Sequence, residues 1–237
     1  MYTRILACSS SKAGNSSYLE PVVSLASAFL GAGSLQIAFI PFASVGDYED
    51  YAEKVREGFK SLPHTITLVQ PENAVAVIEK ADVIMVGGGN TFKLLHDIYA
   101  YKLLDIIRDK VSNGIPYIGW SAGANITGPT IGTTNDMPII EPKSFNSLGL
   151  LPFQLNPHYI SQKPEGHNGE TRDQRLEEFL KMNPGLSIIG LPEGTALQLE
   201  GDKLDLIGDV NGVLFNMEEG IIVRKDIRVG EDVSYLM

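Results

Sequence analysis

Short apolar segments rich in β-branched residues alternate with segments of helical spacing along this 237-residue chain. Predicted strands cover 4–8, 35–42, 65–69, 83–86, 117–119 and 186–191, and predicted helices cover 17–32, 47–62, 72–80, 90–112 and 171–182. Such alternation is typical of βα units that build a parallel sheet. The sequence therefore predicts an α/β fold with a mostly parallel sheet flanked by helices, in a single domain over 1–237. Short antiparallel strands are expected over 196–223.

The charge balance narrows the classes of partner. The chain has 19 Lys and Arg against 29 Asp and Glu, a net charge of −10. The electrostatic field of a protein with this negative charge repels nucleic acids and anionic membranes, so neither is expected as a partner. It also disfavours an acidic substrate, whose site would need a local cation. The sequence does not distinguish a monomer from a homodimer.

The N-terminal segment and the cysteine content indicate the compartment. Cys8 is the only cysteine, so the chain cannot form an intramolecular disulfide. The apolar run around Cys8 is too short for a signal peptide. We therefore expect a cytoplasmic protein.

The motif Gly119-Trp120-Ser121-Ala122-Gly123 matches the G-x-S-x-G pattern of a nucleophile elbow. It lies between a predicted strand and a predicted helix, which is the context that this motif requires. Small flanking residues allow the strained turn that exposes a serine hydroxyl. A chain with 24 glycines could contain the pattern by chance. The flanking elements favour Ser121 as a nucleophile.

A serine nucleophile needs a base and a group that orients the base. His158 follows an apolar segment and is the preferred base, while His167, in a glycine-rich segment, is an alternative. Glu193 follows the strand predicted over 186–191 and is the candidate acid, although a solvated turn residue would look the same. The order Ser, His, Glu differs from that of the α/β-hydrolases, which disfavours that fold.

A second glycine cluster, Gly87-Gly88-Gly89-Asn90-Thr91, also follows a predicted strand. Bare backbone N–H groups in such a run can bind a phosphate or an oxyanion. The cluster lacks the lysine of a P-loop and the spacing of a dinucleotide-binding loop. We therefore expect an oxyanion hole built from the N–H groups of Gly88, Gly89 and Ala122.

Together these motifs, with Thr134-Asn135-Asp136-Met137-Pro138, Asn156-Pro157-His158 and Pro192-Glu193-Gly194, resemble the peptidase E family of α-aspartyl dipeptidases. The resemblance implies a fold similar to class I glutamine amidotransferases, with serine in place of cysteine. It also implies a triad of Ser121, His158 and Glu193, which selects His158 over His167. The implied reaction is hydrolysis of very short peptides with N-terminal aspartate, without a metal or other cofactor.

Recognition of aspartate requires a cation, preferably a guanidinium that grips the carboxylate. Arg172 is the candidate, although it could be a solvated helix residue. Asp136 could bind the substrate ammonium or stabilise a turn, and Asn90 could bind substrate or cap a helix. An isoaspartyl peptidase, a cyanophycinase-like hydrolase and a non-catalytic small-molecule-binding module remain alternatives.

Overall fold

The computed structural model describes residues 2–162, 166 and 168–237. Within these residues the helices are α1 (Glu20–Leu30), α2 (Tyr48–Phe59), α3 (Ala74–Lys80), α4 (Thr91–Ala100), α5 (Leu104–Ser112), α6 (Ala122–Asn125) and α7 (Arg172–Met182). The strands are β1 (Arg4–Cys8), β2 (Gln36–Ile40), β3 (Thr65–Leu68), β4 (Val83–Val86), β5 (Tyr117–Trp120), β6 (Gln154–Pro157), β7 (Ile188–Leu191), β8 (Thr195–Glu200), β9 (Lys203–Gly208), β10 (Gly212–Glu218) and β11 (Ile221–Ile227). Most of the elements predicted from the pattern are present, with ends that shift by a few residues.

The main sheet has seven strands in the order β3-β2-β4-β5-β1-β8-β9. The first five are parallel, while β8 and β9 are antiparallel to their neighbours. This confirms the predicted α/β class. Because β4, β5 and β1 are adjacent and parallel, their C-terminal ends meet at one edge, where ligands bind in open α/β sheets.

A second sheet has the order β11-β10-β7-β6. Its β6 and β7 are parallel, with Pro157 opposite Leu191. The sequence pattern did not predict β6 as a strand. It also did not show that the C-terminal antiparallel strands would divide, with β8 and β9 in the main sheet and β10 and β11 in the second.

The single helix predicted over 90–112 is wrong, because two helices occupy this range. Lys102 between them has a φ of 58°, in the left-handed region, which a right-handed helix cannot include. The turn buries Leu103 completely in the core. The segment Tyr101-Lys102-Leu103 has neither glycine nor proline, so no local signal marks the break.

One hydrophobic cluster joins the two sheets. It includes Ile5 and Val86 of the main sheet together with Ile189 and Leu214 of the second. This shared core sets the position of β6 and β7 relative to the end of β5. No helix among the described residues has the length and apolar character to cross a membrane.

Candidate active site

Ser121 lies at the junction of β5 and α6 in a strained conformation. Its φ is 54° and its ψ is −113°, which is unusual for a residue with a side chain. The Ser121 N–H donates to the Cys8 carbonyl at 3.1 Å, which attaches the turn to the end of β1. The side chain is half-buried, with the start of α6 directly behind it.

The glycines of the G-x-S-x-G motif are required by close backbone contacts. A Cβ on Gly119 would overlap the carbonyl of Gly123, and a Cβ on Gly123 would overlap the carbonyl of Val86. The helix after the nucleophile can therefore lie directly against β4 and β5 only when these positions lack side chains. This packing is the physical reason for the motif.

Ser121, His158 and Glu193 form a continuous chain of polar contacts. The Nε2 atom of His158 lies 3.0 Å from Ser121 Oγ, and its Nδ1 atom lies 2.8 Å from Glu193 Oε1. The parallel register that pairs Pro157 with Leu191 explains why His158 and Glu193 meet, since both follow the ends of neighbouring strands. His158 also has a φ of 54°, which turns it toward the elbow.

Ser9 connects these loops to the main sheet. Its buried hydroxyl accepts from the His158 N–H at 2.9 Å and donates to the Leu191 carbonyl at 2.7 Å. Its own N–H donates to the carbonyl of Thr195 at 2.8 Å. One side chain at the end of β1 therefore holds the segments that carry the base and the acid. No motif pointed to Ser9.

The glycine cluster after β4 packs against the elbow. A Cβ on Gly88 would lie 3.0 Å from the Cβ of Ser121, so this close approach requires glycine. Gly89 has a φ of 138°, and a Cβ there would overlap the carbonyl of Ala43. Because of this packing, backbone groups of the loop lie beside the serine.

Tyr51 on α2 orients the glycine loop. Its hydroxyl donates to the Gly88 carbonyl at 3.0 Å. In a planar trans peptide the C=O and the next N–H point in opposite directions, so this bond directs the Gly89 N–H away from Tyr51. Burial raises the pKa of Tyr51, so the hydroxyl remains protonated and can donate. No sequence motif indicated Tyr51.

A cavity of about 900 Å³ opens from Ser121 and His158. The glycine loop forms one part of its wall, and a face of α2 with its preceding loop forms another. The α2 wall contributes Asp47, Asp50, Tyr51 and Lys54. The cavity is large enough for a small peptide.

Asn90 and Asp136 both stabilise the start of α4. The Asn90 side chain accepts from the Lys93 N–H at 3.0 Å, which makes it the N-cap, and it also lines the cavity. The Asp136 carboxylate accepts from the N–H and the hydroxyl of Thr91, at 2.7 and 2.6 Å. The Asn90 contact matches the helix-cap alternative, and the Asp136 contacts give this carboxylate a structural role at the start of the same helix. The expected contact between Asp136 and a substrate ammonium stays a prediction.

Arg172 is the first residue of α7 and is half-buried. Its guanidinium donates to Asn135 Oδ1, which also accepts from the Asn156 side chain at 2.8 Å. Burial, and then the charge of Arg175, lower the pKa of Arg172. The ion pairs of the described residues include Arg175 with Glu170 but not Arg172. The alternative base, His167, lies outside the described residues.

Comparison with known proteins identifies the family. The model of peptidase family S51 matches residues 5–207. The chain belongs to this family. A protein named peptidase E from Nostoc is 52% identical over 193 residues, which cover 81% of this chain and 80% of that protein. Another protein named peptidase E, from Shewanella amazonensis, is 48% identical over the full length of both chains. These findings confirm the resemblance to peptidase E and the expected class of serine-type peptidase.

Two solved structures have a similar fold. A protein from Listeria monocytogenes superposes with a TM-score of 0.70 at 24% identity, covering 89% of this chain and all of that chain. A peptidase from an acI-B1 Actinobacterium gives the same TM-score at 18% identity, covering 98% of this chain and 97% of that chain. The chain therefore shares the fold of these two solved structures.

The contacts of Ser9 predict a loss of activity in Ser9→Ala. Without the hydroxyl, the His158 N–H and the Leu191 carbonyl lose their buried partner, and the base moves relative to Ser121. We expect kcat/KM for a peptide substrate to fall at least about tenfold, since small misplacements of catalytic groups are costly. Stability to urea should fall by about 1–3 kcal/mol.

Ser147→Ala is the matched control. Ser147 is also fully buried, and its hydroxyl donates to the Gly128 carbonyl at 2.6 Å. It should lose comparable stability but keep wild-type kcat/KM. Equal activity in the two variants would contradict a positioning role for Ser9.

Proposed function

We propose that this protein hydrolyses dipeptides and very short peptides with an N-terminal aspartate, through an acyl-enzyme on Ser121. The observation that carries the proposal is the contact chain from Ser121 through His158 to Glu193 at a nucleophile elbow. It occurs in a member of peptidase family S51 with full-length relatives named peptidase E. The cavity beside the serine has the size for such substrates.

In the proposed reaction His158 Nε2 takes the proton of Ser121 Oγ as the oxygen attacks the scissile carbonyl carbon. Glu193 accepts from the Nδ1–H and stabilises the imidazolium. The imidazolium then protonates the leaving amine as the C–N bond breaks, which leaves an aspartyl ester on Ser121. A water molecule, deprotonated by His158, hydrolyses this ester and restores the serine hydroxyl.

The charge that develops on the carbonyl oxygen requires donors beside Ser121. The N–H groups of Gly88, Gly89 and Ala122 are the proposed oxyanion hole. Tyr51 supports this assignment because its bond to the Gly88 carbonyl holds the next peptide N–H on the opposite side. Tyr51 is therefore a positioning residue in this proposal.

Arg172 is proposed to bind the aspartate side chain of the substrate. Its guanidinium is half-buried and is held by a neutral amide, Asn135, so it keeps donors for a carboxylate. The Asn135 side chain is itself fixed, since its Nδ2 donates to the Pro157 carbonyl at 2.8 Å. A fixed cation beside the His158 strand overcomes the acidic field of the protein for this substrate.

The test of the proposed reaction compares Asp-Leu, isoAsp-Leu and Ala-Leu as substrates of the purified protein. We expect cleavage of Asp-Leu, with much slower cleavage of the other two. Ser121→Ala should lower kcat by at least about a thousandfold, because only binding and oxyanion stabilisation then remain. A preference for isoAsp-Leu would assign the β-linked reaction instead. If none of the three dipeptides is cleaved, the result would favour a non-catalytic small-molecule-binding module.

Arg172→Met tests the proposed aspartate contact. Loss of a charged partner should lower kcat/KM for Asp-Leu about a hundredfold or more, and that for Ala-Leu much less. Arg175→Met, one turn further on the same helix face, is the control and should leave both values near wild type. An equal effect of Arg172→Met on the two substrates contradicts the assignment.

Tyr51→Phe tests the orientation of the oxyanion loop. Removing the hydroxyl frees the Gly88–Gly89 peptide to rotate, so kcat for Asp-Leu should fall about tenfold with little change in KM. Tyr48→Phe is the control, because the Tyr48 hydroxyl contacts Lys93 and Asp97 away from the loop. A loss confined to KM, or equal losses in both variants, would show that Tyr51 does not act on the oxyanion.

A further inference from the structure

We propose that Lys54 binds the C-terminal carboxylate of the substrate, so that the α2 wall of the cavity is the subsite for the leaving residue. This inference rests on the proposed aspartyl peptidase function. It assigns a part of the cavity wall that the triad and the oxyanion loop do not form, and Arg172 is not among the residues that line this cavity.

The position of Lys54 follows from helix geometry. Asp47, Asp50, Tyr51 and Lys54 are spaced by three, one and three residues, so they lie on one face of α2, and all four line the cavity. Tyr51 on this face reaches the Gly88 carbonyl at 3.0 Å. Lys54 is the neighbour of Tyr51 one turn further along, and its long flexible side chain can extend toward the space beside the glycine loop.

The charge of Lys54 is not used elsewhere in the described part of the protein. On the same helix Arg56 pairs with Glu49 at 2.6 Å and with Glu53 at 3.3 Å, and Lys60 at the C-cap pairs with Glu57. In contrast, the ion pairs of the described residues do not include Lys54. Neither of the two nearby acids, Asp47 and Asp50, forms an ion pair with it in the described part of the protein. Asp47 accepts from the N–H groups of Glu49 and Asp50 as the helix cap, and Asp50 forms no ion pair with Lys54.

The proposed substrate has more than one carboxylate to accommodate. An Asp-Xaa dipeptide carries the aspartate carboxylate and a free C-terminal carboxylate, and an acidic protein must supply a cation for each. Arg172 is held at Asn135. Lys54 and His158 are the basic side chains among the described residues that line the cavity, and His158 contacts the nucleophile. Lys54 is therefore the side chain proposed to bind the C-terminal carboxylate of the substrate.

Substrate length explains why this contact would select dipeptides. In a dipeptide the free carboxylate belongs to the residue directly after the scissile bond, about one Cα–Cα step of ~3.8 Å from the aspartate. Tyr51 at the oxyanion loop and Lys54 are three residues apart, a rise of about 4.5 Å along the helix. In a longer peptide the carboxylate lies further out, and a neutral amide takes its place.

The experiment measures kcat/KM for Asp-Leu and for Asp-Leu amide, which lacks the C-terminal charge, in wild type, Lys54→Met and Lys54→Arg. We expect wild type to prefer Asp-Leu about five- to tenfold, mainly through KM. Lys54→Met should abolish this preference by weakening Asp-Leu selectively, and Lys54→Arg should retain most of it. Lys60→Met, at the C-cap of the same helix and outside the cavity, should behave as wild type.

The outcomes separate this inference from the function on which it rests. Wild type that cleaves acid and amide equally well, or Lys54→Met that lowers both equally, overturns the role of Lys54 and leaves the aspartyl peptidase activity standing. Wild type that cleaves neither substrate overturns the proposed function, and the subsite with it. A preference for Asp-Leu over Asp-Leu amide that Lys54→Met abolishes, and that Lys54→Arg and Lys60→Met retain, supports the subsite.

Discussion

The hydroxyl of Ser9 forms hydrogen bonds at the C-terminal ends of β6 and β7 in the second sheet, next to the nucleophile at the end of β5 in the main sheet. It accepts from the His158 N–H and donates to the Leu191 carbonyl, while the preceding residue, Cys8, accepts from the Ser121 N–H. The end of β1 therefore contacts all three segments that carry the triad. A hydroxyl suits this place because it donates and accepts at once. Burial removes water as a competing partner for these groups.

Two residues of the site have left-handed backbone conformations although both carry side chains. Ser121 and His158 each have a φ of 54°. Such conformations are costly and persist only where the surroundings determine them. At Ser121 the surroundings are the close contacts of Gly119 and Gly123, and at His158 they are the bond to Ser9 and the pairing of β6 with β7. The strain turns both side chains out of their strands and toward each other.

The basic side chains of this acidic protein differ in whether they form ion pairs. The net charge of −10 would repel a dicarboxylate peptide from a site without local positive charge. Arg172 is held by a neutral amide, and Lys54 lies on the cavity wall outside the ion pairs of the described residues. In contrast, Arg56 of α2 and Lys60 at its C-cap are paired with glutamates of α2. Lys54 and Arg172 thus lack, among the described residues, an ion-pair partner that would compete with a bound carboxylate.

Local sequence was sufficient for features that depend on short-range geometry. The alternation of apolar runs predicted the α/β class, and the glycine patterns predicted both turns at the end of the parallel strands. Chain contacts over long distances were not predictable in this way. The bonds of Ser9 to residues about 150 and 180 positions away, and of Tyr51 to Gly88, have no local pattern, since any serine or tyrosine can donate a hydroxyl.

The break between α4 and α5 was missed because burial of Leu103, not a glycine or proline, determines it. The strand β6 and the division of the C-terminal strands between two sheets likewise depend on which surfaces pack together. By itself the sequence determined the fold class and the elbow, because turn chemistry and periodicity are local, and its resemblance to the peptidase E family supplied the candidate triad. Only the tertiary structure decided how base and acid are held and which cations face the cavity, because those depend on packing between distant segments.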